Sequence, residues 1–216
     1  MNENTKKLFE VGASDIPNQL PIFPLDNVLL LPFGKLPLNI FEERYINMIF
    51  DVLQNKRLVG IVQPKNNNGD FFKVGCVGKI TSYIETPDHR IVLNLDGVCR
   101  FNLLDSQLTT KGYHKANISI DNFIHDIDLI EPMIDRENLI KKYTNFFKIK
   151  KYELDLDVLE ETSNLQLITT LTMLAPFNKI DNQAILEAKN LSERLKVINS
   201  ILDLNTFKIV GSTSKH

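Results

Sequence analysis

Few residues in this chain stand at spacings that could do chemistry. The stretch VGCVGKIT (74–81) sets two glycines ahead of a lysine and a threonine, the ingredients of a loop that wraps a phosphate. Such a loop needs G-x-x-x-x-G-K-S/T between a strand and a helix, because four intervening residues let the backbone N–H groups curl inward. Here two residues separate Gly75 from Gly78, Ile80 follows Lys79, and strand-like alternation runs on to Glu85. A nucleotide pocket is not expected.

The other reactive groups are equally dispersed. His89, His114, His125 and His216 fall in a turn, a strand start, a linker and a terminus, and no HExxH occurs. No G-x-S-x-G elbow raises a serine nucleophile. Glu160 and Glu161 read as a solvated helix face. Glu42 and Arg44 could hold a ligand carboxylate, with a structural ion pair as the competing reading. Cys76 and Cys99 read as buried free thiols, since buried cysteine behaves as a small hydrophobe; a disulfide is the alternative, and a metal site needs more ligands than are visible. No catalysis, cofactor or metal is expected.

The elements that carry these residues divide the chain. Residues 1–18 are polar and unpatterned, an arm. From 19 to 126 the pattern is strand-like, and from 132 to 207 it is helical, the change falling at the acidic HDIDLIEP (125–132). Within the first part, Phe41, Tyr45, Met48, Ile49, Val52 and Leu53 share one helical face. In the second, Asp135, Ser163, Asp181 and Asn190 are the expected helix caps, with Ile180 and Ile185 as a staple. The net charge of −2 supplies no basic field for nucleic acid or anionic lipid. No apolar run approaches membrane-spanning length, and the start lacks a secretory pattern. A reduced cytoplasm is the expected compartment.

Thr86-Pro-Asp-His89 is turn chemistry. With Glu85 facing Arg90 across it, one face pairs Ile84 with Ile91, Ser82 with Leu93, Ile80 with Leu95, Gly78 with Gly97, Cys76 with Cys99 and Val74 with Phe101. The other pairs Tyr83 with Val92, Thr81 with Asn94, Lys79 with Asp96 and Val77 with Val98. The first face is nearly all apolar; the second brings opposite charges together. Gly78 facing Gly97 leaves room for a bend or for close approach of another element. A bulge at Gly97 would shift the register beyond it by one residue.

Leu20-Pro-Ile-Phe-Pro-Leu25, Asn27-Val28 and Leu36-Pro-Leu-Asn-Ile-Phe-Glu-Glu-Arg-Tyr45 resemble the opening of the Lon protease N-terminal, substrate-binding domain. So do Val74-Gly-Cys-Val-Gly-Lys-Ile80 and Leu95-Asp-Gly-Val-Cys-Arg-Phe101. Leu174-Ala-Pro-Phe177, Gln183-Ala-Ile-Leu-Glu-Ala188 and Arg194 are similar to the helical extension of stand-alone bacterial members. Asp181-Asn182-Gln183 and Glu43 depart slightly from the family pattern. The resemblance implies an α+β chain: a six-stranded PUA-like pseudobarrel with one main helix, then a helical bundle. It also implies recognition of unfolded or exposed polypeptide segments without the ATPase and protease domains of full-length Lon, and a separate protease as a further partner.

The candidate peptide-binding residues are Phe33, Leu36, Leu38, Val77, Tyr83, Val92 and Val98, apolar groups framed by charges. The competing reading is that the helical part or the barrel interior covers them. Two other functions are weighed: an RNA-binding module, by analogy with the PUA-like fold and against the acidic net charge, and a small hydrolase, for which no motif speaks.

Overall fold

The computed structural model describes residues 10–66, 69–128, 130–153, 159 and 161–213, with side chains to 206. Contacts divide the chain into two compact units, Met1–Asp26 with Leu30–Leu129, and Asn27–Leu29 with Ile130–His216. No helix among the described residues is long and apolar enough to cross a membrane.

The first unit is a β ring. Its strands are β1 (Gln19–Pro24), β2 (Lys35–Ile40), β3 (Leu58–Val62), β4 (Val74–Glu85), β5 (Ile91–Leu108) and β6 (His114–Ser119). The order is β2-β5-β4-β3-β1-β6, and a further β5–β6 pairing closes the ring, leaving β2 as a flap on the first half of β5. β1 and β3 run parallel; the other pairs are antiparallel. β3, LVGIV, is buried at every position, as its unbroken apolar run requires of a central strand.

The long β4–β5 hairpin departs from the uniform register expected of it. Its loop has three residues: Thr86 N donates to Arg90 O (2.9 Å), His89 N donates to Thr86 O (3.0 Å), and His89 takes φ +62°. Thr86, not Glu85, therefore meets Arg90, and the tip pairs Glu85 with Ile91, Ile84 with Val92 and Tyr83 with Leu93. A bulge at Thr81 restores the expected pairs Ile80–Leu95, Lys79–Asp96 and Gly78–Gly97. A second bulge at Val98 shifts the register again, so Val77 meets Cys99 and Cys76 meets Arg100. The two thiols are thus not cross-strand partners; both are buried and neither is in a disulfide. Burial, with Asp126 adding to it, pushes the Cys99 thiol up to about 12, so no thiolate forms at neutral pH.

Gly97 admits the close approach its pairing with Gly78 suggests. A Cβ there would lie 2.0 Å from Leu31 O. The 31–34 loop bonds on both sides of it, Phe33 N to Gly97 O and Gly97 N to Gly34 O, each 2.8 Å. Beyond the bulge, Arg100 and Asp126 form a fully buried fork, Nε–Oδ2 2.7 Å and Nη2–Oδ1 2.9 Å. Arg100 N also donates to Oδ2 (3.1 Å), and the guanidinium stacks 4.3 Å from the Phe123 ring centre. This fork fastens the 3-10 turn Asp121–Asp126 to β5.

Helix α1 (Glu43–Leu53) buries Tyr45, Met48, Ile49 and Val52. Phe41 precedes the helix and is exposed, its ring centre 5.9 Å from the Arg90 guanidinium; Leu53 is half-buried.

The second unit holds α2 (Arg136–Lys150), α3 (Asn164–Leu174), α4 (Lys179–Glu187) and α5 (Leu191–Thr213). Asp135, Ser163 and Asn190 accept from the backbone N–H three residues on, as expected of caps. α4 starts earlier than the sequence suggests: Asn178 is its cap, accepting from Asp181 N at 2.9 Å. Asp181 instead sits in the first turn, and Ile180 points to solvent, so no staple forms. Phe146, Phe177 and Tyr143 build the aromatic core, with Tyr143 Oη 2.7 Å from Thr172 Oγ1. Glu161 lies in an exposed turn ahead of α3 and not on a helix; Glu160 lies outside the described residues.

Candidate functional site

The two bulges of the hairpin flank a cavity of about 450 Å³. Phe33, Val98, Lys79, Thr81 and Asp96 line it, together with Glu10, Val11, Ile127 and Asp128. A bulge re-aims the side chains around it, and here the two bulged residues, Thr81 and Val98, both turn to this cavity. Thr81 Oγ1 donates to Asp96 Oδ1 (3.2 Å). Phe33 is held at φ +65°, a region that bulky residues rarely enter. Its N–H is tied to Gly97 O, and the residue remains 38% exposed. Strain of this kind persists only where the surroundings impose it, and it concentrates at functional sites.

Strand alternation places the remaining candidates. Val92, Asn94 and Asp96 point to the outer face of the sheet, while Ile91, Leu93 and Leu95 are buried on the inner one. Val92 therefore shares a face with the cavity, beside Ile84, which is 67% exposed. Leu36 and Leu38 pair with Leu95 and Leu93 and are half-buried on the opposite face, where Tyr83 also lies, opposite Leu93. Val77, opposite Cys99 rather than Val98, is fully buried in the ring and offers no surface. The structure thus joins Phe33 and Val98 at one cavity, extends that face to Val92, sets Leu36, Leu38 and Tyr83 on the reverse, and removes Val77. Sequence reasoning missed Ile84, because a uniform register assigns it to the core; the three-residue loop was the signal.

Charged clusters elsewhere are self-satisfied. Glu42 pairs with Arg44 at 2.7 Å, so this pair reads as an internal bridge. Asp51 accepts from Lys111 Nζ (2.6 Å) and Tyr113 Oη (2.8 Å) beside a second cavity of about 340 Å³. The Lys111 hydrogen bond, helped by that from Tyr113, holds its carboxyl below the usual range. Burial and then Asp51 push the Tyr113 hydroxyl up to about 12. No group of three or more His, Cys, Asp or Glu could hold a metal among the described residues.

A β ring with a bulged long hairpin, preceding a separate helical unit, is an α+β build of defined class. The chain belongs to the family described as the ATP-dependent protease La (LON) substrate-binding domain, whose model matches residues 19–203. It is 27% identical over 204 residues to the Lon protease of Dictyoglomus thermophilum, covering 88% of this chain and 25% of that one. The Lon protease of Cytophaga hutchinsonii is 25% identical over 90% of this chain and 25% of its own length. The chain therefore spans about a quarter of these relatives. Among solved structures, a Lon N-terminal domain protein from Xanthomonas campestris shares the fold, with TM-score 0.61 and 20% identity over 84% of this chain and 97% of that one. The N-terminal domain of a Mycobacterium avium complex Lon protease does so at TM-score 0.55 and 12% identity, over 86% and 98%.

Proposed function

We propose that this chain is a non-catalytic module that holds exposed polypeptide segments on the outer face of its β4–β5 hairpin, for a separate protease to consume. The observation that carries this reading is the strained, half-exposed Phe33 facing Val98 in a cavity between two bulges, with Val92 and Ile84 continuing the apolar surface. Apolar groups set among polar ones suit an extended segment of varied sequence. Family membership supports the same reading, since the matching family is defined as substrate-binding.

Fluorescein-labelled, reduced and carboxymethylated lactalbumin, a permanently unfolded protein, tests it by anisotropy. Binding that falls about tenfold in Val98→Asp is expected, since a charge in an apolar contact is costly. Equal binding by wild type and variant removes the cavity from the function; tight binding of RNA in place of the unfolded protein replaces the reading.

A further inference from the structure

Resting on the polypeptide-binding reading, we propose that the segment is held by strand addition along the outer edge of Thr81–Glu85. The hydrogen bonds fix which edge is open. Thr86 N donates toward β5, so along β4 the main-chain groups of Ile84 and Ser82 also face β5, and those of Tyr83 and Glu85 face away. On that far side β3 stops: its pairing ends at Leu58–Lys79, followed by one last bond from Ile80 N to Arg57 O (2.9 Å). The bulge at Thr81 makes this switch possible, because it lets Ile80 face β3 while Ser82 faces β5. Among the described residues no strand pairs with β4 beyond it, and all five positions from Thr81 to Glu85 are exposed.

Among the described residues the sheet's other free edge, the outer side of β2, is guarded against such pairing. Gly97 N donates to Gly34 O, so Leu36, Leu38 and Ile40 face β5 while Lys35, Pro37 and Asn39 face outward. A lysine and a proline on an edge are guards against a foreign strand, the proline because it has no N–H to give. The β4 edge carries neither between Thr81 and Glu85.

The edge also sets its occupant. Five residues span about 17 Å, far too little for the roughly 1,000 Å² that a specific contact between two folded copies requires. A single extended segment fits this length. Main-chain bonds to Tyr83 and Glu85 would accept any sequence, while Tyr83 on one face and Ile84 on the other favour apolar side chains at alternate positions. Glu85 is the only charge on the edge, so basic segments are favoured over acidic ones.

The test uses a fluorescein-labelled decapeptide of alternating valine and threonine, beside the carboxymethylated lactalbumin above. Two N-methylated versions carry methyl groups on one or the other alternate set of residues. Strand addition predicts that one set weakens binding at least tenfold and the other less than twofold. Tyr83→Pro, which removes the outward N–H together with the phenol ring, is expected to match that loss, while Tyr83→Ala, which removes the ring alone, weakens binding less than threefold. Loss of lactalbumin binding in Tyr83→Pro, together with methylation asymmetry of peptide binding in the wild type, supports the proposal. Equal tolerance of both methylated peptides, with lactalbumin still bound, overturns strand addition and leaves the polypeptide-binding reading standing. Failure to bind either probe overturns both. Concentration-dependent dimers abolished by Tyr83→Pro would make the edge a self-association site and overturn the proposal.

Discussion

Phe33 occupies a left-handed backbone position that costs a non-glycine residue about 1–2 kcal/mol. Phe33→Gly should therefore leave the fold as stable or stabilise it by about 1 kcal/mol in urea titration, while weakening lactalbumin binding. A loss of both stability and binding would instead make the ring a packing residue. Arg100 and Asp126 are the reverse case. Arg100→Leu strands a buried carboxylate and is expected to cost about 3–5 kcal/mol, with cavity binding unchanged in the fraction that folds. At Asp51 the linkage has a definite sign. Its folded-state carboxyl titrates below the unfolded one, so its contribution is present above the unfolded carboxylate range and is lost as pH falls through the lower, folded value. The melting-temperature gap between wild type and Asp51→Asn should be open at neutral pH and close in acid below the ordinary range. Some of this was visible in residue types: Val98 interrupts an otherwise polar hairpin face, and Phe33 lies in a proline-bounded stretch. The left-handed φ of Phe33 was not, since nothing in residue identity marks a bulky side chain for that region.

At the level of elements, the β4–β5 hairpin decides the site. Gly97→Ala would drive a methyl to within 2.0 Å of the Leu31 carbonyl. Backbone cannot yield as a side chain can, so a loss of about 1–3 kcal/mol or more is expected in denaturant unfolding, with Gly12→Ala, which meets only Asp15 Oδ2 at 3.7 Å, near neutral. The existence and pairing of these strands were legible from alternation and from the glycine pair; the helices were legible from period and caps. The register was not, because a three-residue loop and two compensating bulges return the pattern to its expected phase only at Gly78–Ile80. One residue of slip inverts a face, which is how Ile84 came to be assigned to the core; Val77 keeps its face and is buried because it lies between Gly60 of β3 and Cys99 of β5. α4 shows a milder case: Asn178 and Asp181 are both good caps, and only the bond from Asp181 N distinguishes them.

For the molecule as a whole, the net charge is −2, and the proposed surface sets apolar groups and main-chain polarity beside charges of both signs, Lys79 and Asp96 among them. Affinity for unfolded lactalbumin should then change less than about threefold between 50 and 200 mM salt, because little of it is screened. A nucleic-acid site making 6–10 phosphate contacts would lose roughly 10³–10⁵ over the same interval. The family resemblance was the most legible feature of all, spread through Leu20–Tyr45, Val74–Phe101 and the last helices, because those segments supply ring and bundle packing. The ligand surface was the least legible, because it depends on which strand edge is left open. Hydrogen exchange of the full chain, with and without saturating carboxymethylated lactalbumin, bears on this most directly. Slowed exchange is expected at the amides of Tyr83 and Glu85 and in the 31–34 and 96–98 segments, with the rest of the ring unchanged. Protection confined to the helical unit, or none at all under saturation, would contradict it.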